Sequence, residues 1–192
     1  MAEGTVNASA VNSNTQEKID AIYKVVVEES DNIVNLFDHG VISEVTGGFT
    51  GYMSNTDGRC ETTIDETLYI KGGVSAGACI DTNNIIDVTE YDALVIEIVG
   101  YTEDAEGSGY RGLLGLMNTH ATPTAPSGGS SPDNSHITQY ACRTFFDIGS
   151  KSCVLNLLNV TGEYYPRISL HQSNAGGNQY LSVSKMYLVK FK

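Results

Sequence analysis

Several short patterns in this chain have the residue types that chemistry uses. Gly73-Val74-Ser75-Ala76-Gly77 has the G-x-S-x-G spacing of a nucleophile elbow, which needs a strand, a sharp turn and then a helix. The following "ACIDTNN" is not helical in character, so a turn between two strands with permissive glycines is the better reading. The histidines His39, His120, His136 and His171 are far apart in sequence. His120 and His136 bracket a Pro/Gly/Ser-rich stretch and can meet at its base, although exposed loop histidines are the plainer reading. Cys60, Cys79, Cys142 and Cys153 form no C-x-x-C and have no histidine at zinc-ligand spacing. They read as buried free thiols, with a Cys142–Cys153 disulfide as the alternative. Acidic side chains number 23, so a glycosidase-type carboxylate pair is always available somewhere and its presence decides nothing.

Two further groups suit binding better than catalysis. Asp81, Asn83, Asn84 and Asp87 make an oxygen-rich cluster of the type calcium favours, though "DTNNIID" is also a plain turn before a strand. No other cofactor is implied. Sugar sites combine aromatic faces with amide or carboxylate hydrogen bonds. Near expected loops, Tyr101, Tyr110, Tyr140 and Tyr180 supply rings, and Asn174, Asn178 and Gln179 supply amides. The chain has 11 tyrosines but no tryptophan, which weakens the sugar reading.

The charge balance narrows the partners. With 11 basic and 23 acidic residues the net charge is −12. Nucleic acid and anionic membrane surfaces call for basic patches, and three lysines in the closing "KMYLVKFK" do not make one. No apolar run approaches the ~20 residues of a membrane-spanning helix. The N-terminus has neither the basic start nor the apolar stretch of a secretion signal, which points to folding in a cytosol.

Three segments follow from the pattern. Residues 1–13 are small and polar and read as an extended arm. Over residues 14–36, Ile19, Ile22, Val26, Ile33 and Leu36 follow a heptad-like seam broken at Glu29, which predicts a helix that forms a short coiled-coil stem. Asn14 and Glu17 suit its N-terminal cap, and an isoleucine-rich seam favours a trimer. A helix packed on its own domain is the alternative, and the β-branched "VVV" opposes any helix. Residues 37–192 carry short alternating strands separated by Gly and Asn turns, such as "ETTIDETLYIKGG", "YDALVIEIVGY" and "YLSVSKMYLVKF". The fold class is thus mainly β: a jelly-roll β-sandwich preceded by an N-terminal α-helix.

The phrases "NLFDHGVISEVTGGFTGY", "IDVTEYDALVIEIVGYT", "FFDIGSKSCVLNLLNVTGEYYPRISLHQS" and "VSKMYLV", in that order, resemble small galactose-binding-like jelly rolls. Such modules occur in phage tail, baseplate and fibre proteins and as carbohydrate-binding domains. The resemblance implies that Asp87 turns the chain while Tyr91 and Leu94 pack, and that Gly162, Tyr164, Tyr165 and Ile168 mark a turn and a core strand. Pro166 departs from it and suggests an edge strand. It also implies a non-enzymatic virion component made in the host cytoplasm, attached through its N-terminus to other virion proteins as a homo-trimer. The sandwich would contact subunits or host-surface polysaccharide. A bacterial carbohydrate-binding module is the alternative, and a small hydrolase using Ser75 a third reading.

Overall fold

Alternation in "ALVIEIV" places Leu94, Ile96 and Ile98 on one side of a strand and Ala93, Val95 and Glu97 on the other, and the structure keeps that division. It is a computed structural model that describes residues 32–54, 58–73, 77–103, 112–120, 140–171 and 178–191. Thirteen strands are present among them: β1 (Ile33–Asp38), β2 (Val41–Ile42), β3 (Phe49–Met53), β4 (Glu61–Ile64), β5 (Leu68–Gly72), β6 (Gly77–Thr82), β7 (Ile86–Asp87), β8 (Ala93–Glu103), β9 (Gly112–Met117), β10 (Tyr140–Phe146), β11 (Ser152–Asn156), β12 (Glu163–His171) and β13 (Gln179–Val189). The only helical element among the described residues is one 3-10 turn, Glu44–Thr46. No helix there is long and apolar enough to cross a membrane.

The strands form two antiparallel sheets. The seven-stranded sheet runs β11-β8-β13-β1-β2, with β5 and β4 added beside β13. β13 pairs along its length with β8. On its other edge Gln179–Val183 pair with β5 and Lys185–Val189 with β1. The six-stranded sheet runs β10-β9-β12-β6-β3, with β7 beside β12. The inner faces bury Leu94, Ile96, Leu181, Val183, Met186 and Leu188 against Ile80, Leu114, Leu116, Ile168 and Leu170, all 0% exposed. The sandwich expected from the sequence is therefore present.

Among the described residues the helical stem is not formed. Ile33 and Leu36, two residues of its seam, lie in β1. Leu36 is 0% exposed in the intersheet core, and Ile33 packs on the opposite face of the same sheet. Residues three apart share a helix face but point to opposite sides of a strand, so this pair joins no subunit seam. Pairing with β13 overrides a spacing that fits both periods, and β-branched Ile33 and Val34 favour the strand. The sandwich thus begins before residue 37. Ile19, Ile22, Val26 and the arm 1–13 lie outside the described residues.

Two local expectations also change. "ETTIDETLYIKGG" is a hairpin and not one strand: β4 pairs with β5, and the Thr67 N–H donates to Asp65 Oδ1 in the turn. Pro166 sits in a central strand instead of an edge. On one edge β12 pairs with β7 through Glu163–Tyr164 and with β6 from Arg167 onward, so Pro166 falls where that neighbour changes, while on the other edge it lies opposite Leu116 of β9. Asp87 turns the chain as the resemblance implies, its Oδ1 accepting the Thr89 N–H at 2.9 Å, while Leu94 is fully buried and Tyr91 packs on the core.

Candidate ligand-binding face

The six-stranded sheet has an outer face whose residues come from the strand parity. In β12, Ile168 and Leu170 face the core, so Tyr165, Arg167 and Ser169 face outward. Register then aligns Asp81 of β6 with Arg167, and Cys79 with Ser169. On β3, Thr50 lies opposite Asp81 and Tyr52 opposite Cys79. On β9, Gly115 lies opposite Arg167 and Met117 opposite Tyr165.

A charged pair forms the floor of this face. Arg167 Nε donates to Asp81 Oδ1 at 2.6 Å and Nη2 to Oδ2 at 2.7 Å, with side chains 1% and 0% exposed. The planar fork of arginine matches both carboxylate oxygens, which makes this a strong, directional contact. Burial opposes the guanidinium charge, but the bonds to Asp81 outweigh it and hold the Arg167 pKa above its usual value. The Arg167 guanidinium carbon lies over the Tyr140 ring, 6.0 Å from its centroid. That ring occupies the room left by Gly115, where an added Cβ would come within 2.4 Å of it. The Tyr140 hydroxyl shares a 3.0 Å hydrogen bond with Ser169, and burial pushes its pKa up to about 12.

Three rings stand above the floor. His120, three residues past β9, places Nδ1 3.0 Å from Asp81 Oδ2. Its imidazole lies 5.6 Å from the Tyr52 ring at an interplanar angle of 27°, and 3.9 Å from the Tyr165 ring at 42°. The His120 side chain is 29% exposed, and Tyr52 and Tyr165 are half-buried, so this part of the face meets solvent. Burial, and then the nearby Asp81 charge, raises the Tyr52 pKa, which keeps its hydroxyl protonated. Beside Tyr52, the Thr50 hydroxyl donates to Asn83 Oδ1 at 2.6 Å, and both residues are exposed. Aromatic faces, hydroxyls, an amide and a satisfied charge pair are thus brought together on one sheet surface.

The residues singled out from the sequence are distributed differently. Tyr101 is 4% exposed in the core, stacked edge-on against Phe146, and its hydroxyl donates to buried Gln179 Oε1 at 3.2 Å. Asn178 is half-buried beside Gln179. Tyr180 points to the outer face of the seven-stranded sheet, close enough to Tyr69 to help raise its pKa after burial and Glu61. Of the three tyrosines among the described residues, Tyr101, Tyr140 and Tyr180, only Tyr140 belongs to the face described above. Tyr110 and Asn174 lie outside the described residues, as do His136 and Ser75.

The calcium cluster does not converge. Asp81 is taken up by Arg167 and His120. Asn83 bonds to Thr50 and to the Gly47 carbonyl, Asn84 donates to the Val45 carbonyl, and Asp87 is turned to Thr89. Among the described residues no three His, Cys, Asp or Glu side chains are grouped to hold a metal. The G-x-S-x-G stretch joins β5 to β6, two strands, so the strand-turn-helix context of a nucleophile elbow is not formed. All four cysteines are free thiols, and burial raises the Cys153 pKa to about 12.

The sequence reading passed over Tyr52 and Arg167, weighed His120 only together with His136, and placed Tyr165 only as a landmark of a turn and core strand. A signal existed: Tyr165-x-Arg167-x-Ser169 alternates with the apolar Ile168 and Leu170, which marks a strand with one polar-aromatic side.

The class these features define is an antiparallel β-sandwich with an aromatic and polar sheet face. No protein-family model matches the chain, and no curated protein matches it. Two solved carbohydrate-binding modules resemble it slightly. One is a low affinity xylan binding module, CBM86, from the xylanolytic gut symbiont Roseburia intestinalis. It has 10% identity and a TM-score of 0.42, covering 76% of this chain and 97% of that one. The other is TmCBM27, a module of specific mannan recognition, with 12% identity and a TM-score of 0.32, covering 81% of this chain and 98% of that one. Likenesses this slight say nothing about the ligand of this chain.

Proposed function

We propose that the domain is a non-catalytic glycan-binding module whose ligand lies on the outer face of the six-stranded sheet. The observation that carries the reading is the assembly of Tyr52, His120 and Tyr165 over the buried Asp81–Arg167 pair. Sugar rings offer flat C–H faces to aromatic side chains and hydroxyls to polar neighbours, and this strip has both. The net charge of −12 favours a neutral glycan over a polyanionic one. A place in a phage particle, expected from the sequence resemblance, receives no support from the described residues. The bacterial carbohydrate-binding module, the alternative reading of the sequence, is favoured over it.

Isothermal titration with neutral xylo-, manno- and cello-hexaose tests the reading. Binding of at least one, weakened at least tenfold by Tyr52→Ala together with Tyr165→Ala in a folded protein, is the expected result. Undiminished binding by that double variant would remove this face as the site.

A further inference from the structure

Within the glycan reading of this face, His120 has an unusual place. Its imidazole is a flat ring lodged between Tyr52 and Tyr165, and one edge of it reaches the buried Asp81 carboxylate. Both Asp81 oxygens already accept from Arg167, so Nδ1–H is the donor in that contact. A flat ring with aromatic neighbours and one donor at its rim is what a sugar unit would present in the same slot. We infer that His120 is a resident stand-in for the ligand, and that Asp81 Oδ2 is the acceptor for a sugar hydroxyl once His120 moves aside.

The hydrogen bonds make this exchange physically reasonable. Asp81 Oδ2 accepts from both Arg167 Nη2 and His120 Nδ1, whereas Oδ1 accepts from Arg167 Nε. Departure of His120 leaves both arginine bonds in place, so no buried charge is left unpaired. The vacated lone pair on Oδ2 then faces the slot between the tyrosines. A sugar hydroxyl replaces the imidazole N–H, and a C–H face of the same unit replaces the imidazole face on Tyr165. A uronic acid or phosphorylated sugar would bring a negative group against Asp81. The ligand class is therefore a neutral sugar unit with a donor hydroxyl next to an apolar face. His39 is exposed and bonded to Asp38, away from this face.

A site occupied by its own side chain binds with an apparent affinity reduced by the fraction of open molecules. A slot filled nine times in ten weakens binding about tenfold. Isothermal titration of the wild type and His120→Ala with the three hexasaccharides is the direct test. Tighter binding by His120→Ala, up to about tenfold, or binding by that variant where the wild type shows none, supports the inference. Unchanged or weaker binding overturns it, because His120 would then be idle or part of the platform. If such a result is accompanied by loss of binding in the Tyr52→Ala, Tyr165→Ala double variant, the glycan reading survives without the exchange. Binding by neither the wild type nor folded His120→Ala removes both. Should His120→Ala not fold, the wild type still decides. The His120 ring protons lie in the ring-current field of Tyr165, and saturating hexasaccharide should shift them toward solvent values. Ring signals that keep their Tyr165 shift in the bound state overturn the exchange.

Discussion

The two sheets of this sandwich each bury side chains on an outer face, and the two faces are opposite in character. On the seven-stranded sheet, Ala93, Val95, Tyr187 and Val189 are 0–2% exposed and Ile33 packs on them, forming a small apolar cluster. On the six-stranded sheet, the buried outer residues include Asp81 and Arg167 with a rim of half-exposed rings. The first pattern is what ordinary apolar burial gives. The second is costly, because desolvating two charges takes back much of what their attraction gives, and apolar replacements of similar volume are often as stable. A pair that gains little stability over an apolar filling, set beneath exposed rings, is better understood through what it presents to a ligand.

That contrast can be broken at its strongest point first. Arg167→Leu leaves Asp81 buried and uncompensated and should cost about 3–5 kcal/mol in chemical unfolding. A loss below about 1 kcal/mol would mean that the carboxylate rehydrates or protonates easily and that the floor is not rigid. Replacing both partners, Asp81→Leu with Arg167→Met, should recover most of that stability and still abolish glycan binding. Recovery of binding along with stability would contradict the role given to the pair. Leu36→Ala tests the corrected start of the fold. It should cost about 2–5 kcal/mol, as truncation of a fully buried core side chain does. A near-neutral result together with a change in oligomeric state by light scattering would favour the stem.

Smaller effects are expected on the apolar face. Tyr187→Phe removes one long hydrogen bond, 3.5 Å to Glu97, and should change stability by less than about 1 kcal/mol. The smallest effect concerns Asp87, whose pKa is lowered from 3.8 by hydrogen bonds from Thr89. A depressed carboxyl stabilises above its unfolded pKa and loses that contribution as the pH falls through the folded one. Asp87→Ala should therefore slightly lower stability at neutral pH, leave it nearly unchanged below the folded pKa, and so flatten the acid limb of a stability profile.

The sequence made one kind of feature legible and hid another. Period-two alternation in β8 separated Leu94, Ile96 and Ile98 from Val95 and Glu97, and the structure keeps that division because successive strand residues point to opposite faces. The same rule failed at Ile33 and Leu36, where a few apolar residues satisfy a helix and a strand alike and only pairing with β13 decides. The site was hidden for a different reason. Tyr52, Asp81, His120 and Tyr165 come from β3, β6, the chain after β9, and β12, and only sheet register places them together. Asp81 was read with its sequence neighbours Asn83 and Asn84, yet β-strand parity turns it to the arginine 86 residues away. Tyr101 and Gln179 were read as loop-edge residues because they stand near strand ends, but both are buried.

The rival surface for a glycan is the outer face of the seven-stranded sheet, where Tyr69 and Tyr180 lie close together. Amide and aromatic NMR shifts, followed while neutral hexasaccharide is added to the intact chain, compare the two faces in one experiment. The account predicts concentration-dependent shifts centred on Thr50, Tyr52, His120 and Tyr165, with Tyr69 and Tyr180 unmoved. Shifts centred on Tyr69 and Tyr180, or none anywhere at saturating hexasaccharide, would contradict it.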